Sequence, residues 1–336
     1  MREPAFWWRP AGLQARLLAP VAVLYGAVAG WRLARPGWRA GVPVICVGNL
    51  TLGGTGKTPM ALAVARMLGA AGERPVLLSR GYGGALAGPS QVDAARHRAV
   101  DVGDEPLLLA RAAPTIVARD RVAGAQAALA AGASVIVMDD GFQNPYLAKD
   151  LSILIVDGRR GIGNGSVFPA GPLRAPLDAQ LRHAHALVVV GPPEGAAPLA
   201  AAARARNMAV FSAHLLPDRE FIGALGNARV LAFAGIGDPE KFFATLREVG
   251  VAVAATRSFA DHQRYTSAQA QVLLAQAERE RLILVTTEKD LARMQGDAPA
   301  AELAAGARAL PVTLALDDEA GFRSLLLKRL AAARKR

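Results

Sequence analysis

The residues best equipped to do chemistry stand together at 51–58, read TLGGTGKT. Gly53, Gly54 and Gly56 leave backbone N–H groups free to approach phosphate oxygens, and Lys57 reaches the outer phosphates. The hydroxyl of Thr58 is a ligand for Mg²⁺, while Thr51, Leu52 and Thr55 complete the cradle. An apolar strand over 44–47 precedes this loop and a helical stretch over 59–68 follows it. Strand, Gly-rich loop and helix N-terminus are the context in which such a motif binds a nucleoside triphosphate, here ATP with Mg²⁺. One position departs from G-x-x-x-x-G-K-[ST]: Thr51 stands where the first Gly is usual.

A second group of candidates falls at the ends of other apolar runs. Residues 138–143 read MDDGFQ. A carboxylate at the C-terminal end of a strand beside the loop is suited to a second Mg²⁺ contact, since ligands of open α/β sheets collect there. Asp139 and Asp140 alternate in direction on an extended strand, so one faces the metal and the other the substrate or the core. Arg80 and Tyr82 follow the second apolar run and Arg119 the third, which puts them, with Gln143, within reach of a substrate phosphate or sugar. By itself Asp104 reads as a helix N-cap, because Glu105 and Pro106 follow. His183 and His185 lack a third ligand and make no metal site.

These residues need a frame, and the apolar runs supply one. Runs at 43–47, 75–79, 115–118, 135–138, 153–156 and 186–190 alternate with helical stretches. That pattern predicts an α/β fold of P-loop NTPase type, a doubly wound parallel sheet covered on both faces. A shorter series at 230–234, 254–259, 282–286 and 312–316 predicts a second, smaller α/β domain. Pro217, Gly223 and Gly226 mark the boundary. The expected division is 1–40, 41–215 and 216–336.

The first forty residues are of another kind. All four Trp residues, Trp7, Trp8, Trp31 and Trp38, flank an uncharged run over 17–30. Fourteen residues are too few to span a bilayer, which takes about 20. Trp and Tyr25 at headgroup level, with Arg2, Arg9, Arg16, Arg32, Arg35 and Arg39 for anionic lipid, predict an interfacial, membrane-contacting helix that Pro20 kinks or interrupts. The net charge of +11 favours anionic partners. No interleaving of basic and aromatic residues marks a nucleic-acid surface, so no nucleic-acid partner is expected. The single Cys46 excludes an intrachain disulfide and a cysteine zinc site, in keeping with a reducing compartment.

Read in order, VGNLTLGGTGKTP (47–59), SRGYGG (79–84), VGDEP (102–106), DDGFQ (139–143), FPAGPLR (168–174), DH (261–262) and TTEKD (286–290) resemble the tetraacyldisaccharide 4′-kinase family of Gram-negative bacteria. The resemblance implies a monomeric, peripheral enzyme on the cytoplasmic face of the inner membrane. It would move the γ-phosphate of ATP to the 4′-hydroxyl of a lipid-linked disaccharide 1-phosphate. It also implies that Asp104 acts with His262 in activating that hydroxyl, alongside Lys57, Asp139 and Asp140. The family often carries Glu after the Arg of its PLR segment, whereas this chain has Ala175. A partitioning-type membrane ATPase is the alternative, but such proteins carry an additional Lys early in the loop and 51–53 has none.

Overall fold

Six successive residues of β1 (Val44–Asn49) are wholly buried, as only a strand sandwiched between two layers can be. The computed structural model describes residues 3–336; Arg2, counted above among the basic residues, lies outside them. Ahead of β1 comes the N-terminal helix α1 (Leu13–Leu33), and after it α2 (Lys57–Ala70), β2 (Pro75–Ser79), β3 (Ser90–Gln91), α3 (Ala99–Val102), α4 (Asp104–Leu109), β4 (Thr115–Val117) and α5 (Arg121–Ala130). Then follow β5 (Val135–Asp139), β6 (Leu151–Asp157), α6 (Leu177–Arg182), β7 (Ala186–Val190), α7 (Ala197–Arg204) and β8 (Ala209–Pro217).

Together with a late strand, β13 (Val312–Leu316), these make a nine-stranded sheet ordered β13-β8-β7-β6-β1-β5-β2-β4-β3. All neighbours are parallel except at the two edges, where β13 runs against β8 and β3 against β4. The chain winds outward from β1 in both directions, so the loop after β1 opens at the point where the winding reverses. The β1–β5 register sets Val47 beside Asp139, bringing that carboxylate to the level where the loop begins. Apolar clusters fill both faces: Met60, Val64 and Leu68 of α2 on one, Ala125 and Ala128 of α5 with Leu199 of α7 on the other.

The second lobe runs through α8 (Arg219–Leu225), β9 (Arg229–Ala234), α9 (Pro239–Glu248), β10 (Ala252–Ser258), α10 (Ser267–Glu280), β11 (Ile283–Thr287), α11 (Glu288–Met294), α12 (Ala301–Gly306) and β12 (Ala307–Leu310). Its four strands form a separate parallel sheet, β10-β9-β11-β12. One expected strand is reassigned. The run 312–316 does not extend this sheet but crosses at Pro311 and pairs antiparallel with β8, Val312 opposite Pro217 and Leu316 opposite Ala213. The closing helix α13 (Glu319–Arg334) then buries Phe322, Leu326 and Leu330 against the first sheet. The span 216–336 is therefore not one unit, because its last strand and helix complete the first lobe.

Helix α1 is longer than the uncharged run inside it. Its 21 residues continue through Pro20 and take in Arg16 and Arg32, so by length and composition it reaches what a membrane span needs. The expected break at Pro20 does not occur, and the argument that the segment is too short falls with it. Small residues, Ala15, Ala22 and Gly26, face the protein; a Cβ on Gly26 would sit 3.4 Å from Pro176. Leu13, Leu17, Val23, Leu24 and Trp31 point outward, Leu13 at 73% exposure and Trp31 at 63%. The four Trp residues do not act alike: Trp7 is buried, donates its ring N–H to the Pro169 carbonyl at 3.0 Å and meets Phe168 edge-on. It belongs to the core and not to an interfacial belt.

Candidate active site

The phosphate loop is held from below and from its side. Gly48 lets the backbone pass Phe142, since a Cβ there would lie 2.4 Å from the Phe142 Cβ. Thr51 is buried and bridges antiparallel to Leu173, while its carbonyl accepts from Arg174 Nε at 3.0 Å. A β-branched residue suits this extended, paired position, which accounts for the missing first Gly. Gly56 takes φ 89° and caps α2, so Lys57 and Thr58 occupy its first turn.

Across from them β5 ends in the acidic pair. Thr58 Oγ1 donates to Asp139 Oδ2 at 3.3 Å. Asp139 is 1% exposed, and its Oδ1 is buried without a partner, as is the Thr55 hydroxyl of the loop. Burial, reinforced by the Glu105 and Asp140 charges, pushes the Asp139 carboxyl up to about 7. Asp140 turns the other way with φ 51° and meets Arg174 at 3.3 Å and Lys57 at 3.7 Å. Burial would raise Asp140 as well, but Lys57, Arg174 and Arg121 outweigh it and hold the carboxyl below its usual range. A buried oxygen with an unused lone pair beside a threonine hydroxyl fits a Mg²⁺ ion that takes its other ligands from phosphate and water. Among the described residues no cluster of three metal-ligating side chains exists.

The second group joins the two lobes. Gly103, with φ 92°, is the residue preceding α4, so Asp104 sits inside the first turn and not at the cap. Its Oδ2 accepts from Arg293 Nε at 3.2 Å, from Arg293 Nη2, and from His262 Nδ1 at 3.3 Å. Arg293 in turn reaches Asp290 at 3.0 Å and the carbonyls of Gly235 and Gln263. Burial alone would raise Asp104; the His262 hydrogen bond and the charges of Arg293 and Lys289 reverse this and hold it far below the carboxylate range. The hydrogen bond to Asp104 raises His262 in return, against its partial burial. The imidazole lies 5.0 Å from the Tyr82 ring, centroid to centroid, and with Nδ1 engaged its Nε2 faces Asp261 Oδ1 at 3.7 Å, too far for a hydrogen bond. Beside it Lys289 pairs with Glu105 at 2.6 Å.

A single cleft of about 1210 Å³ collects these groups. It runs from Tyr25 and Arg32 of α1, past the phosphate loop, to Phe242 and Lys289 of the second lobe. Arg80, Tyr82, Arg119 and Gln143 all line it. Tyr82 is 64% exposed, Arg119 leans on the Gly84 and Ala85 carbonyls, and Gln143 is tethered to the Asn49 carbonyl at 2.9 Å. Asp104 stands behind His262 and outside this lining. His183 and His185 are absent from it. Ala175, at the position where Glu is common, is wholly buried and its carbonyl accepts from Gln180 at 2.8 Å.

Several residues of the site escaped the sequence reading. Arg293 follows Asp290 at the i, i+3 spacing of one helix face, which is a readable local pair, but its reach to Asp104 is not. Arg121 is 3% exposed and lines the cleft near the acidic pair, its guanidinium lowered by burial to about 10.

Comparison with known proteins places this geometry. Residues 14–331 match the family described as tetraacyldisaccharide-1-P 4′-kinase. The tetraacyldisaccharide 4′-kinase of Nitrobacter winogradskyi is 56% identical over 335 residues, covering 100% of this chain and 99% of that one. Its counterpart in Rhodopseudomonas palustris strain BisA53 is 56% identical over 337 residues, covering 100% and 98%. Among solved structures, LpxK from Aquifex aeolicus in complex with ATP superimposes with a TM-score of 0.74 at 27% identity, over 95% of this chain and 100% of that one. With sequence, fold and solved relative in agreement, the chain belongs to the tetraacyldisaccharide-1-P 4′-kinase family.

Proposed function

We propose a division of labour within this cleft for the family's reaction, transfer of the γ-phosphate of ATP to the 4′-hydroxyl of a tetraacylated disaccharide 1-phosphate. The loop N–H groups of Gly53, Gly54 and Gly56 and the Lys57 ammonium bind the outer phosphates. Thr58 and Asp139 would hold Mg²⁺, which would supply positive charge against the phosphates during transfer. Asp140, occupied by Lys57 and Arg174, keeps those cations aimed at the site. His262 Nε2 takes the proton from the 4′-hydroxyl, and Asp104 orients the ring and stabilises the imidazolium. Arg80, Tyr82, Arg119 and Gln143 contact the sugar and its phosphate.

The acceptor's acyl chains are accommodated where the cleft reaches α1, whose outward Leu and Val side chains seat a monomer on the cytoplasmic face of the inner membrane. The observation that carries this reading is that His262, backed by buried Asp104, lines the cleft that also holds Lys57 and Thr58. The partitioning-ATPase alternative finds no match in the family to which the chain belongs. In detergent micelles, the purified protein with Mg-ATP should place labelled phosphate on a tetraacyl disaccharide 1-phosphate. ATP turnover that is indifferent to lipid, with no label on the sugar, would sink the proposal.

A further inference from the structure

Glu3, two residues ahead of the N-terminal turn Ala5–Trp8, touches the nucleotide loop directly. Glu3 Oε1 packs on Gly53 so closely that a Cβ there would lie 2.0 Å from it. The other oxygen, Oε2, accepts from Trp8 Nε1 at 3.0 Å and from Arg160 Nη1 at 3.0 Å. Arg160 is in the turn after β6, stacks on the Trp8 ring at 4.9 Å, and uses its Nη2 to reach Asp238 of the second lobe at 2.8 Å. Asp238 caps α9, and its neighbour Gly237 approaches the phosphate loop so nearly that a Cβ would meet Gly54 N at 3.2 Å. Alongside, Lys241 of α9 holds Asp157 of β6 at 2.6 Å.

A carboxylate beside an anion-binding loop repels phosphate unless its charge is committed elsewhere. Glu3 is so committed: one guanidinium divides its two faces between Glu3 and Asp238, tying the N-terminal segment, the first lobe and the second lobe together at Gly53–Gly54. We propose that Glu3, Arg160 and Asp238 form a positioning relay that holds the second lobe and the N-terminal turn against the phosphate loop and so sets its affinity for nucleotide. The relay acts through the loop and touches no reacting atom. It rests on the reading of the cleft as a nucleotide site and adds residues that lie outside the loop motif.

The test uses full-length protein in micelles and three near-isosteric variants, Glu3→Gln, Arg160→Met and Asp238→Asn, the last keeping the oxygen that caps α9. Binding of ATP by calorimetry and KM for ATP should weaken by about three- to tenfold in each, the span of one half-buried ion pair. KM for the lipid acceptor should stay put, and kcat should change less than KM for ATP. Glu3→Gln added to Arg160→Met should cost nothing further, since the relay is already open. Arg160→Lys should recover only part, because an ammonium does not fork between two carboxylates. Unchanged ATP affinity overturns the proposal. So does tighter binding in Glu3→Gln, which would mean that its charge merely repels phosphate, and so does parallel loss of kcat and thermal stability with no change in KM. Wild-type protein that binds ATP without phosphorylating the lipid would count against the proposed function and leave the relay to be judged on affinity alone.

Discussion

Replacing Arg293 with Met tests the lobe junction most severely. The guanidinium is 5% exposed and lies between Asp104 at 4% and Asp290 at 0%, with two carbonyls, Gly235 and Gln263, also relying on it. Met fills the same channel with an apolar stem, so the loss is one of charge and donors: Asp104 keeps His262, and Asp290 keeps only the neutral donors Tyr265, Thr287 and the Gly235 N–H. Breaking a buried pair of this type costs about 3–5 kcal/mol. That should lower the melting temperature by on the order of 10 °C. Asp104 is depressed in the folded state, so its contribution is fully present above the unfolded carboxylate value near ~3.9 and is lost as pH falls below it. The wild-type advantage over Arg293→Met should thus be complete at neutral pH and shrink in acid. Adding Asp290→Asn should restore part of the stability, because the carboxylate left with neutral donors alone loses its charge. The kinetic sign is separate: without the guanidinium Asp104 acts on His262 as a less neutralised anion, so the acid limb of kcat/KM should move to higher pH. A melting temperature within a few degrees of wild type, or an acid limb that stays where it was, refutes the claim that this junction is dry and tunes the imidazole.

Three further expectations follow from the site. Activity should rise with pH through a value above the ordinary 6.5 of histidine, since Asp104 holds His262 protonated, and His262→Gln should leave a low, flat profile across that range. Asp139→Asn should raise the Mg²⁺ concentration for half-maximal turnover by about 10- to 100-fold, whereas a variant with unaltered Mg²⁺ dependence would remove Asp139 from the metal. Leu17→Glu combined with Leu24→Glu should shift the protein from the membrane to the soluble fraction without altering its circular dichroism. These substitutions are cleaner than removing residues 1–38, which would also pull Trp7 from its seat beside Phe168.

What was legible in the sequence is what chain neighbours determine. A buried strand, a Gly-rich turn and a helix start identify the phosphate site because all three lie within one short segment. The acidic end of β5 was legible for the same reason. Three other features depend on partners far along the chain. Residues 312–316 read like any short strand, and only Pro311 and the β8 edge, itself half-exposed and overlooked, send them back to the first sheet. Asp104 looked like a cap because its real partner, Arg293, is 189 residues away. In α1, Pro20 suggested a break, yet the helix runs on through it: one face packs through Ala15, Ala22 and Gly26 while Pro20 lies exposed, and the 21-residue helix tolerates the one hydrogen bond that the ring removes.

The two key carboxylates show how the fold assigns different work to one side-chain type. Asp104 and Asp139 are buried almost equally, at 4% and 1%, and desolvation pushes both upward. Their directions nevertheless diverge. Asp104 is surrounded by Arg293, His262 and Lys289 and is held ionised, as its proposed role beside an imidazolium requires. Asp139 has a hydroxyl and two acidic neighbours, Glu105 and Asp140, and although Lys57 and Lys289 pull the other way, burial wins and it rises to about 7. Burial therefore does not separate them; the supply of positive charge does. At Asp104 the protein provides that charge from the second lobe. At Asp139 the charges of Lys57 and Lys289 do not offset burial and an oxygen stays unpaired, so in the proposed function a divalent cation arriving with the nucleotide would supply the balance.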